Sequence, residues 1–277
     1  MVINSNFEAQ RTADYLLSSQ KSLQNSLARL SSGSKIVHVA DDAAGVAVST
    51  RMESKLRRIE AVMTGLSTVT SLTQIQDGYL KTVTDALTRM SELATLAQDQ
   101  TKNTTDRTLY QKEFNQLNEL IYETQDKKFT GIHLFKTLSN DYQSVSVTID
   151  ENGEQFTIPP IDFSDSKFTD AIKTPGSENS LSTAADAKAT AALINTLIDH
   201  AQQERTVIGS IQSRVEFALS QLSTSKENLN QAKSRITDVD IAHETTKFAR
   251  HQILVQSGTQ MLREANNLPQ TALELLR

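Results

Sequence analysis

The sequence has no cysteine, no tryptophan, only four prolines, and aromatic residues at 5% of its 277 positions. Without cysteine it has no disulfide, no thiolate metal ligand and no thiol nucleophile. Residues 1–6 lack the basic and apolar regions of a cleavable secretory signal, so we expect none. The apolar runs are far shorter than a bilayer-spanning helix requires, so we expect no membrane partner.

The charge is unevenly distributed along the chain. The net charge is −5 overall, with +2 in residues 1–35 and +1 in residues 241–277, which leaves −8 in the middle. Neither end has the basic patch of a nucleic-acid-binding protein. We therefore expect no nucleic-acid partner, and no residue pattern calls for a cofactor.

Heptad spacing predicts two long helices in the middle of the chain. The first has two neighbouring rows, at Ile59, Leu66, Thr73, Leu80, Leu87, Ala94 and at Val62, Val69, Gln76, Val83, Met90, Ala97. The second has rows at Ile194, Ala201, Ile208, Val215, Leu222, Leu229, Ile236 and at Leu197, Glu204, Ile211, Ala218, Ser225, Ala232, Val239. This second helix would be roughly 70 Å long. A mainly α fold is predicted, a long antiparallel helical bundle or coiled coil.

A shorter helix and a small β region are predicted between the two long helices. The short helix has an apolar stripe at Tyr110, Phe114, Leu117 and Ile121, and its predicted start is Thr104-Thr105-Asp106. Residues 143–149 and 154–158 alternate like strands around the turn sequence Asp150-Glu151-Asn152-Gly153. We expect this hairpin in a β-rich insertion at about 137–180.

The two ends of the chain carry apolar stripes that have nothing local to cover them. The stripe residues are Leu16, Leu23, Leu27 and Leu30 near the N-terminus and Ile241, Phe248, Val255 and Leu262 near the C-terminus. Small residues are predicted at their flanks, namely Thr12, Ser19, Ser26, Ala242, Ala249 and Ala265. We expect residues 1–42 and 236–277 to form a terminal coiled-coil domain, and residues 43–235 to form the helical bundle domain.

Two unpartnered ends favour assembly of many copies. Isolated amphipathic helices are marginal in water because tertiary packing supplies most of their stability. Identical chains that meet through different patches form an open helical filament when the rotation does not close. A coiled-coil signalling protein with an ordinary intramolecular hairpin is the alternative on periodicity alone.

Several motifs, in a consistent order, resemble bacterial flagellins. They are residues 27–36 (LARLSSGSKI) with Asp41-Asp42-Ala43-Ala44-Gly45, residues 87–94 (LTRMSELA), residues 129–135 (FTGIHLF), and the C-terminal elements ITDVD at 236–240, QIL at 252–254 and Pro269-Gln270. The resemblance covers about 1–136 and 190–277. Thr130 departs from it, because the family has asparagine there, and Val37-His38-Val39 replaces small polar residues.

The resemblance implies a structural subunit that polymerises through its terminal helices into the filament used for motility, and not an enzyme. It also implies secretion by the flagellar type III export apparatus, an export chaperone on the C-terminal segment, and contact with the filament cap and junction proteins. The filament would be extracellular, or periplasmic in the alternative. The closest alternative identity is a hook–filament junction protein of the same superfamily.

The resemblance further implies a contact with the Toll-like receptor that senses flagellin. Family positions that the receptor contacts correspond to Arg89, Leu93 and Glu113 here. An inter-helix ion pair and a core leucine are the ordinary interpretation of the same three residues.

Catalytic chemistry has little support in the sequence. His243-Glu244-Thr245-Thr246-Lys247 is close to the zinc-protease pattern, but Lys247 stands where the second ligand belongs. We expect a solvated helix face there, with a metalloenzyme as the alternative. The paired Asp41-Asp42 precedes a helix and is predicted to cap it.

Overall fold

The computed structural model describes residues 6–138, 142, 144–164, 168, 172 and 179–268, and the backbone of residues 269–274. Five helices run through the described residues: α1 (Phe7–Ser32), α2 (Ala43–Gln98), α3 (Thr104–Thr124), α4 (Ala184–Thr237) and α5 (Ile241–Glu274). The short strands described lie between α3 and α4. The mainly α prediction is therefore confirmed.

The chain forms two compact units. The first comprises residues 1–57 and 226–277, which include α1 and α5. The second comprises residues 58–225, which include α3 and the short strands. The predicted domain borders at 42/43 and 235/236 fall near the breaks between helices rather than at the edges of these units, and the division into those two domains stays a prediction.

The starts of α2 and α3 are fixed by side-chain caps. Asp42 accepts a 2.8 Å hydrogen bond from the backbone N–H of Gly45, so the predicted cap is confirmed for Asp42, whereas Asp41 accepts from the N–H groups of Val37 and His38 instead. At α3 the predicted start at Thr104 is correct, but the capping residue is Asn103. Asn103 and Asp106 exchange side-chain to backbone hydrogen bonds of 2.8 and 3.2 Å, which satisfies two of the free donors at the helix start.

Most residues of the predicted heptad rows lie in the second unit and form its core, but the last members of the second series, Leu229, Ala232, Ile236 and Val239, belong to the first unit and are only half-buried. The fully buried members on α2 are Ile59, Leu66, Thr73, Leu80, Leu87, Met90, Ala94 and Ala97, and those on α4 are Ile194, Leu197 and Ala201. On α3, Phe114 and Ile121 are also fully buried. Because each leucine, isoleucine, phenylalanine or methionine among them contributes about 1.5–3 kcal/mol when it leaves water, these rows supply much of the stability of this unit.

Polar contacts fix the long helices of the second unit against each other. The guanidinium of Arg205 on α4 donates from Nε to Oδ1 of Asp77 on α2, at 2.8 Å. The Ser91 hydroxyl donates a 3.1 Å bond to the side-chain oxygen of Asn195. These bonds join α2 to α4 at two points along their length.

Six short strands lie in the described residues between α3 and α4. They are β1 (Lys128–Phe129), β2 (Ile132–His133), β3 (Phe135–Lys136), β4 (Val145–Thr148), β5 (Gln155–Ile158) and β6 (Ile161–Asp162). Strands β4 and β5 pair antiparallel around the predicted turn, so the hairpin is confirmed. Strands β1 and β2 also pair antiparallel, and β3 pairs parallel with β6. The sequence missed β1–β3 because two-residue strands have no alternation to detect.

A buried aromatic stack anchors the β region to the helices. The ring of Phe163 stacks on Phe135 at 4.7 Å and on Phe168 at 4.3 Å between centroids. The stack continues edge-to-face to Tyr79 on α2 and to His200 on α4. Aromatic pairs in such geometries add about 0.5–1.5 kcal/mol each beyond the area they bury.

Candidate functional site

Helices α1 and α5 pair antiparallel in the first unit, and polar contacts hold the pair at both ends. At one end the side-chain amide of Asn6 donates a 2.7 Å hydrogen bond to the carbonyl of Ala265. At the other end the N–H of Lys35 donates to the carbonyl of Thr237 at 2.7 Å, and Ser34 pairs with Asp238 in a single β-bridge. The chain ends are thus joined along the length of α1.

Small and polar side chains form the seam between these two helices. The buried residues are Ala9 and Ser26 on α1 and Glu244 and Ala265 on α5. Gly258 belongs to the same heptad row of α5 as Glu244 and Ala265. The structure corrects one prediction here, because Ser26 and Ala265 were expected at the flanks and lie in the seam itself.

The predicted stripe residues lie beside this seam and are only partly covered. Leu16, Leu23 and Leu30 on α1 and Phe248, Val255 and Leu262 on α5 are half-buried. Leu27 and Ile241 are 55% and 62% exposed. Because the small residues occupy the centre, the large apolar side chains at its edges keep surface that remains open to water.

A second apolar row on α5 is exposed. This outer row consists of Leu254, Met261 and Leu268, which are 46%, 65% and 59% exposed and recur every seven residues. On α1, Phe7 and Leu17 are also mostly exposed. Aligned exposed side chains of this size are typical of a surface that meets another protein.

Glu244 is a buried carboxylate in the seam, which corrects the expectation of a solvated helix face. The Lys247 ammonium lies 3.5 Å from Oε2, whereas Oε1 is buried and has no hydrogen-bond partner among the described residues. Burial acts to raise the pKa of Glu244, but the nearby Ser26 hydroxyl and the charges of Lys247 and Arg29 outweigh it, so the pKa lies below its ordinary value. The missed signal was the heptad spacing of Glu244 from Gly258 and Ala265.

The residues of the zinc-protease-like pattern are not arranged as a metal site. Lys247 directs its ammonium at Glu244, and a cation cannot serve as the second ligand. Over the described ranges, no group of three His, Asp or Glu side chains could hold a metal ion. Membrane crossing would also need a longer apolar stretch than any helix in the described part of the chain offers.

Arg89, Leu93 and Glu113 lie close together in the second unit. Arg89 Nε is 2.7 Å from Glu113 Oε1, which joins α2 to α3, and Arg89 Nη1 is 2.9 Å from Glu92 Oε2. The hydrogen bond to Glu113, followed by that to Glu92, raises the pKa of the Arg89 guanidinium. Leu93 is only 1% exposed. The ordinary interpretation of an inter-helix ion pair above a core leucine describes this arrangement, and Glu92 is the partner that sequence reasoning missed.

Both ends of the chain match the sequence models of a known protein family. Residues 3–140 match the model of the bacterial flagellin N-terminal helical region, and residues 191–276 match that of the C-terminal helical region. The chain is 31% identical over 280 residues to a flagellin of Halalkalibacterium halodurans. It is 31% identical over 287 residues to the flagellar filament 33 kDa core protein of Treponema phagedenis. Each of these alignments covers the whole of both chains.

Two solved structures share this arrangement of helices. Bacillus cereus flagellin aligns with a TM-score of 0.51 at 26% identity, over 57% of this chain and 88% of its own. A putative flagellar hook-associated protein from Vibrio parahaemolyticus aligns with a TM-score of 0.60, over 72% of this chain and all of its own. Its identity is only 13%, so it shows the fold alone, whereas the full-length 31% matches are to filament proteins.

Proposed function

The chain belongs to the bacterial flagellin family, and from this premise we propose that the paired helices α1 and α5 carry its polymerisation. The protein is a structural subunit of the flagellar filament used for motility, and it is not an enzyme. The metalloenzyme and the signalling coiled coil are therefore set aside. The hook–filament junction protein is set aside because relatives that match the whole chain are filament proteins.

The observation that carries this proposal is the outer row of Leu254, Met261 and Leu268. These side chains are exposed although α5 is already paired with α1. Burying a leucine of this exposure against another chain gains on the order of 1 kcal/mol, and a filament repeats that gain at every subunit. The row therefore supports a second copy of the chain as its occupant, at an interface in the filament core.

Seeded elongation of purified protein tests the proposal. We expect Leu268→Gln to slow elongation from filament fragments, because assembly would then bury a polar side-chain amide at the contact between copies. Leu109→Gln is the matched control, since Leu109 on α3 is equally exposed at 59% and lies outside the helix pair. Loss of elongation in the control together with normal elongation of Leu268→Gln would place polymerisation on another surface.

We further propose a two-domain subunit, with residues 1–42 and 236–277 in the filament core and residues 43–235 as the bundle domain. The contact between α1 and α5 supports this division. Its buried side chains are small or polar and bury little apolar surface, so the helix pair is held together less strongly than the bundle. Limited proteolysis of the monomer should trim both ends and spare residues 43–235. Ends that resist proteolysis in a verified monomer would contradict the division.

The route to the filament is likewise a proposal. We propose export through the type III apparatus with a chaperone on the C-terminal segment, followed by assembly among the cap and junction proteins. The absence of cysteine supports this route, because no disulfide can form while the chain is threaded. The proposed location is extracellular, with a periplasmic filament as the alternative, and immunogold labelling of intact cells distinguishes the two.

A receptor contact at Arg89, Leu93 and Glu113 remains a proposal based on family resemblance. The half-exposed side chains of Arg89 and Glu113 support it. Leu93 is buried, so its part would be to support these two side chains from the core. A reporter-cell assay for the Toll-like receptor with Arg89→Ala tests the contact. Arg57→Ala is the control because Arg57 is an exposed arginine of the same helix. Unchanged signalling by Arg89→Ala would remove the assignment.

A further inference from the structure

All sulfur in this chain is methionine sulfur, because the sequence has five methionines and no cysteine. Among the described methionines, Met90 is fully buried, and Met52 and Met63 are half-buried. Met261 is 65% exposed. Within the described side chains, Met261 is thus the thioether most accessible to an oxidant in solution.

Met261 also occupies the middle of the outer row on α5. Leu254 and Leu268 lie one heptad before and one heptad after it, and both are apolar and exposed. Any copy of the chain that covers these two leucines also covers the thioether between them. Met261 is therefore open to solvent in the single chain and would be enclosed by any copy that covers the outer row.

We propose that Met261 is a reversible oxidation site that controls whether the subunit can assemble. This inference rests on the proposed function, because it requires the outer row to be buried between copies. The oxidant is a peroxide, which transfers one oxygen atom to the thioether sulfur. An S–O bond forms, the peroxide O–O bond breaks, the sulfur loses two electrons, and hydrogen peroxide is reduced to water.

The product changes the chemistry of the row. A sulfoxide has a polar oxygen that accepts hydrogen bonds, and neither leucine beside it on the row can donate one. Burying an unsatisfied polar group opposes association, whereas the unoxidised thioether is apolar and adapts to its neighbours. Enzymes of the methionine sulfoxide reductase class return the sulfoxide to the thioether with electrons from a dithiol: the dithiol is oxidised to a disulfide and the oxygen leaves as water, which makes the site reversible.

The test begins with purified monomer that is treated with limiting hydrogen peroxide and then added to untreated filament fragments. Peptide mass spectrometry should locate the added oxygen at Met261 in monomer and show Met261 protected in assembled filaments. We expect the critical concentration for elongation to rise about tenfold, which corresponds to roughly 1.4 kcal/mol per subunit. Treatment of the oxidised monomer with a methionine sulfoxide reductase and a dithiol reductant should restore elongation.

Met261→Leu is the control variant, because it keeps an apolar side chain of similar volume and has no sulfur at this position. It should elongate normally before and after peroxide treatment, whereas Met90→Leu should remain as sensitive as the natural chain. The proposal is overturned if Met261→Leu is equally sensitive to peroxide, or if chains oxidised at Met261 elongate normally. If untreated protein elongates normally when the outer row is made polar, the proposed function fails instead, and that result is obtained before any oxidant is added.

Discussion

Leu16 of α1 packs directly on Gly258 of α5, so that a Cβ atom built at position 258 would lie 3.2 Å from Leu16 Cδ1. Unstrained carbon atoms separate by about 3.5–4.0 Å, so the two helices approach to a distance that only glycine allows without adjustment. Glycine inside a helix costs roughly 0.5–1 kcal/mol relative to alanine. The close approach of α1 explains why this cost is tolerated at position 258.

Enlarging this glycine should separate the helix pair. We expect Gly258→Val to destabilise the α1–α5 pair by about 1–3 kcal/mol, because the branched side chain would overlap Leu16. Seeded elongation, measured by light scattering, should slow as a consequence. Gly65→Val is the matched control, since Gly65 also lies in a helix and an added Cβ would meet nothing within 4 Å. Equal elongation by the two variants would contradict the proposed role of the seam.

The buried Glu244 predicts an acid sensitivity of the same pair. Its folded-state pKa lies below the ordinary value of 4.5, so the ionised carboxylate stabilises the folded pair above that pH. The contribution disappears as the pH falls below 4.5 and through the lower folded-state pKa. We expect filaments to sediment less completely over this range, as measured across a pH series.

Replacing the carboxyl by an amide isolates this effect. Glu244→Gln should weaken the filament at neutral pH, and its difference from the natural chain should shrink on acidification because both then lack the charge. Glu264→Gln is the control, because Glu264 is an exposed glutamate on the same helix. Parallel curves for the natural chain and Glu244→Gln at every pH would show that Glu244 contributes no titrating stability.

Periodicity was sufficient to predict the core of the bundle. Residues such as Leu66 and Leu87 are seven-residue repeats on one helix face, and a helix that is covered on that face must bury them. The hairpin around Asp150 was predictable for a similar reason, because alternation and turn residues are local signals. Local patterns therefore account for the helices and for the pairing of β4 with β5.

The centre of the terminal seam could not be predicted in the same way. Ser26 and Ala265 are small, and Glu244 is charged, so none of them marks an apolar stripe, yet they are the residues that the two helices enclose. The stack of Phe163 on Phe135 was also missed, since it joins residues from separate strands and has no period along the chain. Both features depend on contacts between distant segments, which a single sequence does not specify.

Gln76 is a polar residue in the buried seam of α2, and its removal should destabilise the bundle. Its side-chain amide donates a 3.0 Å hydrogen bond to the carbonyl oxygen of Leu134, which precedes β3. Gln76→Leu would leave that carbonyl buried without this donor, at a cost of about 1–3 kcal/mol. Urea unfolding should report the loss, whereas Gln74→Leu, at an exposed position of the same helix, should change stability by less than about 0.5 kcal/mol. A Gln76→Leu variant as stable as the natural chain would show that the bond contributes nothing.

Thr130 lies in the turn between β1 and β2 with a φ of 48°, in the left-handed region that disfavours branched side chains. Asparagine and glycine adopt this region more readily, and the flagellin resemblance places asparagine at this position. We expect Thr130→Asn and Thr130→Gly each to raise the free energy of unfolding by about 0.5–1 kcal/mol, since both relieve the strain. Thr130→Val should lower it, because valine keeps the branch and loses the hydroxyl. Urea unfolding of the three variants checks this order of stabilities. A lower free energy of unfolding in both Thr130→Asn and Thr130→Gly would mean that Thr130 makes a contact whose stabilisation exceeds the cost of its backbone strain.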